Sequence, residues 1–514
     1  MISPSDSATE KIGQCLMPRL EIERFSDDRE YRDRIVRLVR QYRVGGFCLF
    51  GGSTKEVERA VLDLQAEANG SLLFSADCEF GLPMRFRSMA SNDSGTEFPD
   101  PMAIAKTGDP SLAFETGRAI AREMRAVGIH WNFAPVMDVN SNPENPIINT
   151  RAFGDDPETV SSYGTEFLRG VQAESVAATA KHFPGHGDTA VDSHRELPVL
   201  ERNWEEFQKI ELPPFERAIE AGVQAIMTGH LAAPLLAAYL GASSQEAALP
   251  ATLSRVLTET LLRERMHFDG VIVTDALEMQ AITKHLGREE ALVLAFEAGA
   301  DILLMPPEAE EACGALRSAF TNGRISEHEL DRKLARIRKL KSFSAIDPGS
   351  VDVRKLEALA GPHSELAEEI AKQAMEIAGH PSAAGANMVV LCEDRPEPKR
   401  KAASFAERMF PSVPVTTLST SEWPAQRIEL DPQTIVVIFH RVRGYVSTPT
   451  TETTIPDIAR ALAEQSAGSG IILKGLVLFG NPYLDREFES LPGFVVKTFS
   501  ESVPSMDAVL DLLQ

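Results

Sequence analysis

Eight short apolar runs, spaced by segments of helical periodicity, recur along the first 306 residues, and this rhythm limits the fold more than any other feature. The runs are Cys15–Met17 with its neighbours, Gly46–Phe50, Leu72–Ser75, His130–Ala134, Val176–Ala180, Gln224–Met227, Val271–Thr274 and Asp301–Met305. They lack polar alternation, so each reads as a strand buried on both faces. Between them, 109–127 opens on Asp-Pro and closes before Gly128, and 157–174, 204–221 and 253–265 carry helical patterns. Eight strands alternating with helices fit a (β/α)8 TIM-like barrel better than a doubly wound sheet, which usually has fewer strands.

Chemistry-bearing residues sit where several of these strands stop. Asp77 follows LLFSA, Lys181 and His182 follow VAATA, His230 follows AIMTG, and Asp275 follows VIVT. In a barrel those carboxyl ends form the rim that carries the active site. Core packing does not explain them, because buried Asp and Lys are costly unless paired.

Past Ile346 the pattern changes. The first 345 residues read as the barrel, and 346–380 as a linker with a helix at 365–377. Residues 381–514 form a smaller α/β sandwich domain with strands at 387–391, 414–418, 435–439, 476–479 and 495–498 and a helix at 455–465. This second domain is expected to close over the cleft, to stabilise the barrel or to support a homodimer.

A net charge of −23 makes nucleic acid and anionic membrane surfaces poor partners. The amino terminus lacks a basic start followed by an apolar run, and no stretch reaches membrane-spanning length, so a cytoplasmic protein is expected. Five cysteines without a CxxC pair read as reduced thiols.

The segment from Lys181 to Pro198, KHFPGHGDTAVDSHRELP, packs Lys181, His182, His186, Asp188, Asp192 and His194 into fourteen positions. Pro184, Gly185 and Gly187 make it a shaped loop. His182 and His186 have the spacing of a helical zinc site, but Pro184-Gly185 interrupts the helix that would align them. Histidines capping loop carbonyls are a second reading, and a phosphate cradle lacks its surrounding glycine pattern. No metal or cofactor is expected. Asp192, two residues before His194, can accept a hydrogen bond from one ring nitrogen, leaving the other to exchange a proton near neutrality. Asp275 reads locally as a nucleophile, as the cap of a helix beginning with ALEMQAI, or as both.

Together, KHFPGHGDTxxDSH, VTDALEM and NFAPVMDVNSNPxNPIIxTRxFGDD resemble glycoside hydrolase family 3, in its β-N-acetylglucosaminidase branch, over about residues 10–345. The resemblance implies a small carbohydrate substrate and retaining exo-hydrolysis of terminal N-acetylglucosamine, from muropeptides or chito-oligosaccharides. It implies that Asp275 is the nucleophile and that His194, oriented by Asp192, is the acid/base. It places Asp77, Arg85, Arg151, Lys181 and His182 around the sugar, with His230 on the same rim. Where the family usually reads Asp-Gln-Glu-Gly-Gly, this chain has Asp77-Cys78-Glu79-Phe80-Gly81, a departure bearing on pocket shape. Competing expectations are a phosphorylase or a β-glucosidase of the same fold, a sugar-binding protein without turnover, and a barrel metallohydrolase.

Overall fold

The computed structural model describes residues 4–86, 94–189, 197–279, 287–409, 413–422, 430–440, 454–469, 472–488 and 492–513. It divides into two compact units. The first holds residues 1–96, 110–146 and 152–363; the second holds 97–109, 147–151 and 364–514.

In the first unit the strands are β1 (Leu16–Met17), β2 (Arg19–Glu21), β3 (Gly46–Phe50), β4 (Leu73–Ala76), β5 (Trp131–Asn132), β6 (Thr179–Phe183), β7 (Ala225–Thr228), β8 (Val271–Thr274) and β9 (Leu303–Leu304). All of their pairings are parallel. β2 pairs with β3, β3 with β4 and β4 with β5, and Trp131 bridges Ala177 just ahead of β6. β6 pairs with β7 and β7 with β8, Val273 bridges Ile302, and β9 returns to β1. Only Pro18 separates β1 from β2, so the ladder runs around eight segments and closes on itself. Because every pairing is parallel, the carboxyl ends of the strands lie at one end of the ring.

β3, β4, β6, β7 and β8 are buried at every position. Burial of both faces explains why β3, β4, β7 and β8 read as continuous apolar runs. The helices have legible starts. Ser53 and Glu56 form a capping box on the helix Thr54–Glu67. Asp156 caps Pro157–Ala173, with proline in its first turn.

Three expected strands differ in extent, the one read at 301–305 being regular only over Leu303–Leu304. The expected strand at 176–180 is irregular at its start, and its regular part extends to Phe183, where Pro184 ends it. Lys181 and His182 therefore lie within the strand rather than after it. β5 is only two residues long, because Pro135 follows soon after it. Residues 276–279 are non-helical, with a turn at 277–278, and the next described helix begins at Arg288, so the helix read into ALEMQAI is not found over its described part.

In the second unit, β10 (Glu376–Gly379), β11 (Asn387–Cys392), β12 (Val415–Ser419), β13 (Thr434–His440), β14 (Gly475–Gly480) and β15 (Phe494–Lys497) form one sheet, ordered β10-β15-β14-β13-β11-β12. Only β10 is antiparallel to its neighbour. Alternate residues feed opposite cores. Ile435, Val437 and Phe439 pack with Phe405 and Val509, and Val436 and Ile438 pack with Ile458 and Leu462. The helix read at 365–377 spans Lys355–Ala374 and contains Pro362. Among the described residues, no helix is long and apolar enough to cross a membrane, and all five cysteines are buried free thiols.

Candidate active site

Lys181 is 1% exposed and points its charge at two carboxylates. Its Nζ lies 2.8 Å from Asp77 Oδ1 and 2.7 Å from Glu79 Oε1. Arg85 Nη2 donates to Asp77 Oδ2 at 2.5 Å. Two cations thus face two anions, which meets the condition under which buried charge is tolerated. Burial alone would raise the Asp77 carboxyl, but Lys181 and Arg85 beside it hold it well below the usual carboxylate range. The Asn132 side chain fixes the backbone of this loop, accepting from Cys78 N at 3.0 Å and donating to Cys78 O at 3.2 Å. Phe80, at the departure from the family pattern, is buried. Asp77, Arg85 and Lys181 were legible in the sequence but Glu79 was not, because its partner Lys181 lies on β6, far along the chain.

A second group surrounds Asp138, which is 0% exposed and which the sequence reading gave no role. Its Oδ1 accepts from the backbone N–H groups of His182 (3.1 Å) and His186 (2.8 Å), and its Oδ2 lies 2.7 Å from His182 Nδ1. The available signal was a carboxylate inside the apolar run FAPVMDV, which requires buried donors. His186 is held at its ring by Thr189 Oγ1, 2.7 Å from Nδ1. That hydroxyl donates to His186 O at 3.0 Å, so Nδ1 carries the ring proton. Burial pulls the His186 pKa down to about 4, against the attraction of Asp138, and the ring is neutral near pH 7.

The stem of the loop is anchored from further sides. Asn145 Nδ2 donates to His186 O (2.8 Å), Gly187 O (3.1 Å) and Thr189 Oγ1 (3.3 Å). Arg202 joins Asp188 Oδ2 (3.1 Å), Glu211 Oε1 (2.7 Å) and Ser141 Oγ (2.8 Å). Gly187 must be glycine, because a Cβ there would stand 1.7 Å from Val139 O.

Asp275 is half-buried and directly follows β8, at the same end of the ring as Asp77. Its backbone N–H donates to Thr228 O at 3.1 Å, and its Oδ1 accepts from Ala276 N at 2.7 Å. His230 is fully buried. Its Nε2 donates to Ala276 O at 2.9 Å and its Nδ1 lies 2.8 Å from Thr252 Oγ1, so the ring fixes the peptide that follows Asp275. Arg151 belongs to the second unit, where it ends the turn Asn149–Arg151 and donates to Ile147 O at 3.0 Å. Asp192 and His194 lie outside the described residues.

This arrangement offers one half-buried carboxylate beside a strand end, a neutralised Lys–Arg–carboxylate group able to hold hydroxyls, and three buried imidazoles fixed by hydrogen bonds. Comparison with known proteins places it in a family. The chain is 33% identical over 375 residues to a "Beta-N-acetylglucosaminidase/beta-glucosidase" of Cellulomonas fimi, covering 72% of this chain and 64% of that protein. It is 33% identical over 363 residues to "Beta-hexosaminidase A" of Pseudoalteromonas piscicida, covering 66% of this chain and 60% of the relative. It therefore spans less than two thirds of the length of these two curated relatives. A solved glycoside hydrolase family 3 β-N-acetylglucosaminidase from Paenibacillus sp. str. FPU-7 is 30% identical, with a TM-score of 0.80 over 98% of this chain and 96% of that one. The family model described as "Glycosyl hydrolase family 3 N terminal domain" matches residues 7–340, well over half of the chain, and the chain belongs to glycosyl hydrolase family 3.

Proposed function

We propose that the chain is a retaining exo-β-N-acetylglucosaminidase acting on terminal N-acetylglucosamine of muropeptides or chito-oligosaccharides. The closed ring of parallel strands is read as a (β/α)8 barrel within a catalytic domain at 1–345, with 346–380 leading to the α/β domain at 381–514. The observation that carries the reading is the position of Asp275, which leaves β8 at the ring end that also presents Asp77, Lys181 and Arg85. Family membership and the names of the relatives support it.

In this mechanism Asp275 attacks the anomeric carbon while imidazolium His194, oriented by Asp192, protonates the departing oxygen. Neutral His194 then takes a proton from water, which attacks the glycosyl ester and frees Asp275 with the sugar configuration retained. Asp77, Arg85, Lys181 and His182 hold the sugar, turning binding into orientation. His230 acts from behind, through Ala276.

Exposure to a 5-fluoro N-acetylglucosaminide, followed by digestion, tests the assignment. The label is expected on the peptide containing Asp275, and Asp275→Ala is expected to lose turnover. A label elsewhere, or near-normal rates in the variant, overturns it. The Cellulomonas fimi relative carries two activities in its name, so glucoside hydrolysis is the second reading. Rates on matched aryl N-acetylglucosaminide and glucoside decide between them. Repeating the reaction with inorganic phosphate separates hydrolysis from phosphorolysis by whether the product is the free sugar or its 1-phosphate.

A further inference from the structure

We infer that Asp138 is a positioning residue that sets the tautomer of His182. The observation is one fully buried carboxylate meeting three donors, two of them backbone N–H groups at either side of the Pro184-Gly185 turn and the third the His182 ring. The two oxygens have separate work. Oδ1 is occupied by the His182 and His186 amides, at 3.1 and 2.8 Å, and holds the turn closed. Oδ2 faces only the His182 Nδ1 at 2.7 Å among the described contacts. A carboxylate accepts and does not donate, so Nδ1 carries a proton. In neutral His182 the Nε2 then presents a lone pair.

The consequence concerns substrate chemistry and rests on the glycosidase reading above. An imidazole fixed with its proton on Nδ1 accepts a hydrogen bond at Nε2, so it suits a hydroxyl that donates. Lys181, next in sequence, is committed to Asp77 and Glu79 and can only donate. Next to a residue that can only donate, Asp138 decides that His182 is the acceptor a sugar hydroxyl can donate to.

Asp138→Asn tests this with little change of shape. Its amide oxygen can keep both backbone bonds, while its NH2 now faces Nδ1 and forces the ring proton to Nε2. Long-range 1H–15N correlation spectra of histidine-labelled protein, with His182→Gln identifying the signal, read the ring directly. The wild type is expected to carry its proton on Nδ1 and the asparagine variant on Nε2. The variant should lose about 10–100-fold in kcat/KM, the range seen where a carboxylate orients a metal-bound histidine. In a His182→Gln background the same change should cost little more, because it acts through that ring. A wild-type proton on Nε2 overturns the inference, and that measurement stands even if the variant fails to fold. An unchanged tautomer in a folded Asp138→Asn protein, or fully additive losses in the double variant, also overturns it. The ring measurement is independent of turnover. An Nδ1 proton in a protein that hydrolyses neither N-acetylglucosaminides nor glucosides would therefore sink the glycosidase reading and leave the tautomer assignment intact.

Discussion

Glu211 is the clearest case of a residue whose charge state is decided by its surroundings. It is fully buried behind the loop stem, with Arg202 2.7 Å from Oε1 and no partner for Oε2 among the described residues. Burial pushes its carboxyl up to about 8, although Arg202 pulls the other way. In an unfolded chain the group ionises near its ordinary value, about 4.3. Between that value and about 8 the folded state therefore binds the extra proton, so this group's contribution to stability falls as pH rises through the window and levels off above it. Glu211→Gln removes the titration and keeps the shape. Thermal melts from pH 4.5 to 8.5 are expected to show a flatter dependence in the variant, and parallel curves would refute the assignment. Neither the raised value nor the role of Asp138 was legible in sequence, because both depend on partners more than 40 residues away in the case of Asp138, or on burial itself in the case of Glu211. Asp77, Lys181 and Asp275 were legible because each sits within a residue or two of a strand end, a local signal.

At the level of elements, the helices Pro110–Ala126 and Pro157–Ala173 lie against each other through glycines. A Cβ on Gly170 would stand 2.0 Å from Phe114 O, and one on Gly117 would stand 2.3 Å from Phe167 O. Backbone cannot yield as the tip of a side chain can, so the helices would have to separate. Gly170→Ala is expected to destabilise the protein by about 1–3 kcal/mol, the usual cost of overpacking. The alanine's better helix propensity offsets at most about 1 kcal/mol of that. Denaturant unfolding checks this, and an equal or higher midpoint would show that the helices are not held at their observed separation. Helix existence was readable here from period and caps, but the closeness of the crossing was not, since a glycine in a helical pattern does not name its neighbour. The shifted limits of β6 have a related cause. An apolar run marks where a strand is buried, whereas the pairing with β7 continues through Lys181 and resumes at Phe183, past a break in register at His182, and the polar groups of Lys181 and His182 are satisfied by distant residues.

On the scale of the whole chain, sequence order and structural grouping part company. Residues 97–109 and 147–151 fall inside the stretch read as barrel, yet they cluster with 364–514. Met102 and Ala103 share a buried cluster with Ala374 and Phe499. Lys401 reaches Glu97 at 3.0 Å, and the Asp100 N–H donates to Ser500 Oγ at 3.1 Å. Periodicity cannot reveal such an excursion, because it reports which face of a segment is buried and not which core receives it. A chain cut after residue 346, at the linker that composition suggests, would therefore leave Met102 and Ala103 without their cover and Glu97 without its cation. It would also remove Val351, which lies over Gly128, and His363, whose Nδ1 is 2.7 Å from Glu123 Oε1. The shortened protein is expected to be poorly soluble or to melt well below the full chain. Extending the cut to residue 363 should restore the second set of contacts and not the first. A fragment ending at 346 that unfolds cooperatively at the same temperature as the full chain would show that residues 97–109 find sufficient cover within the first unit.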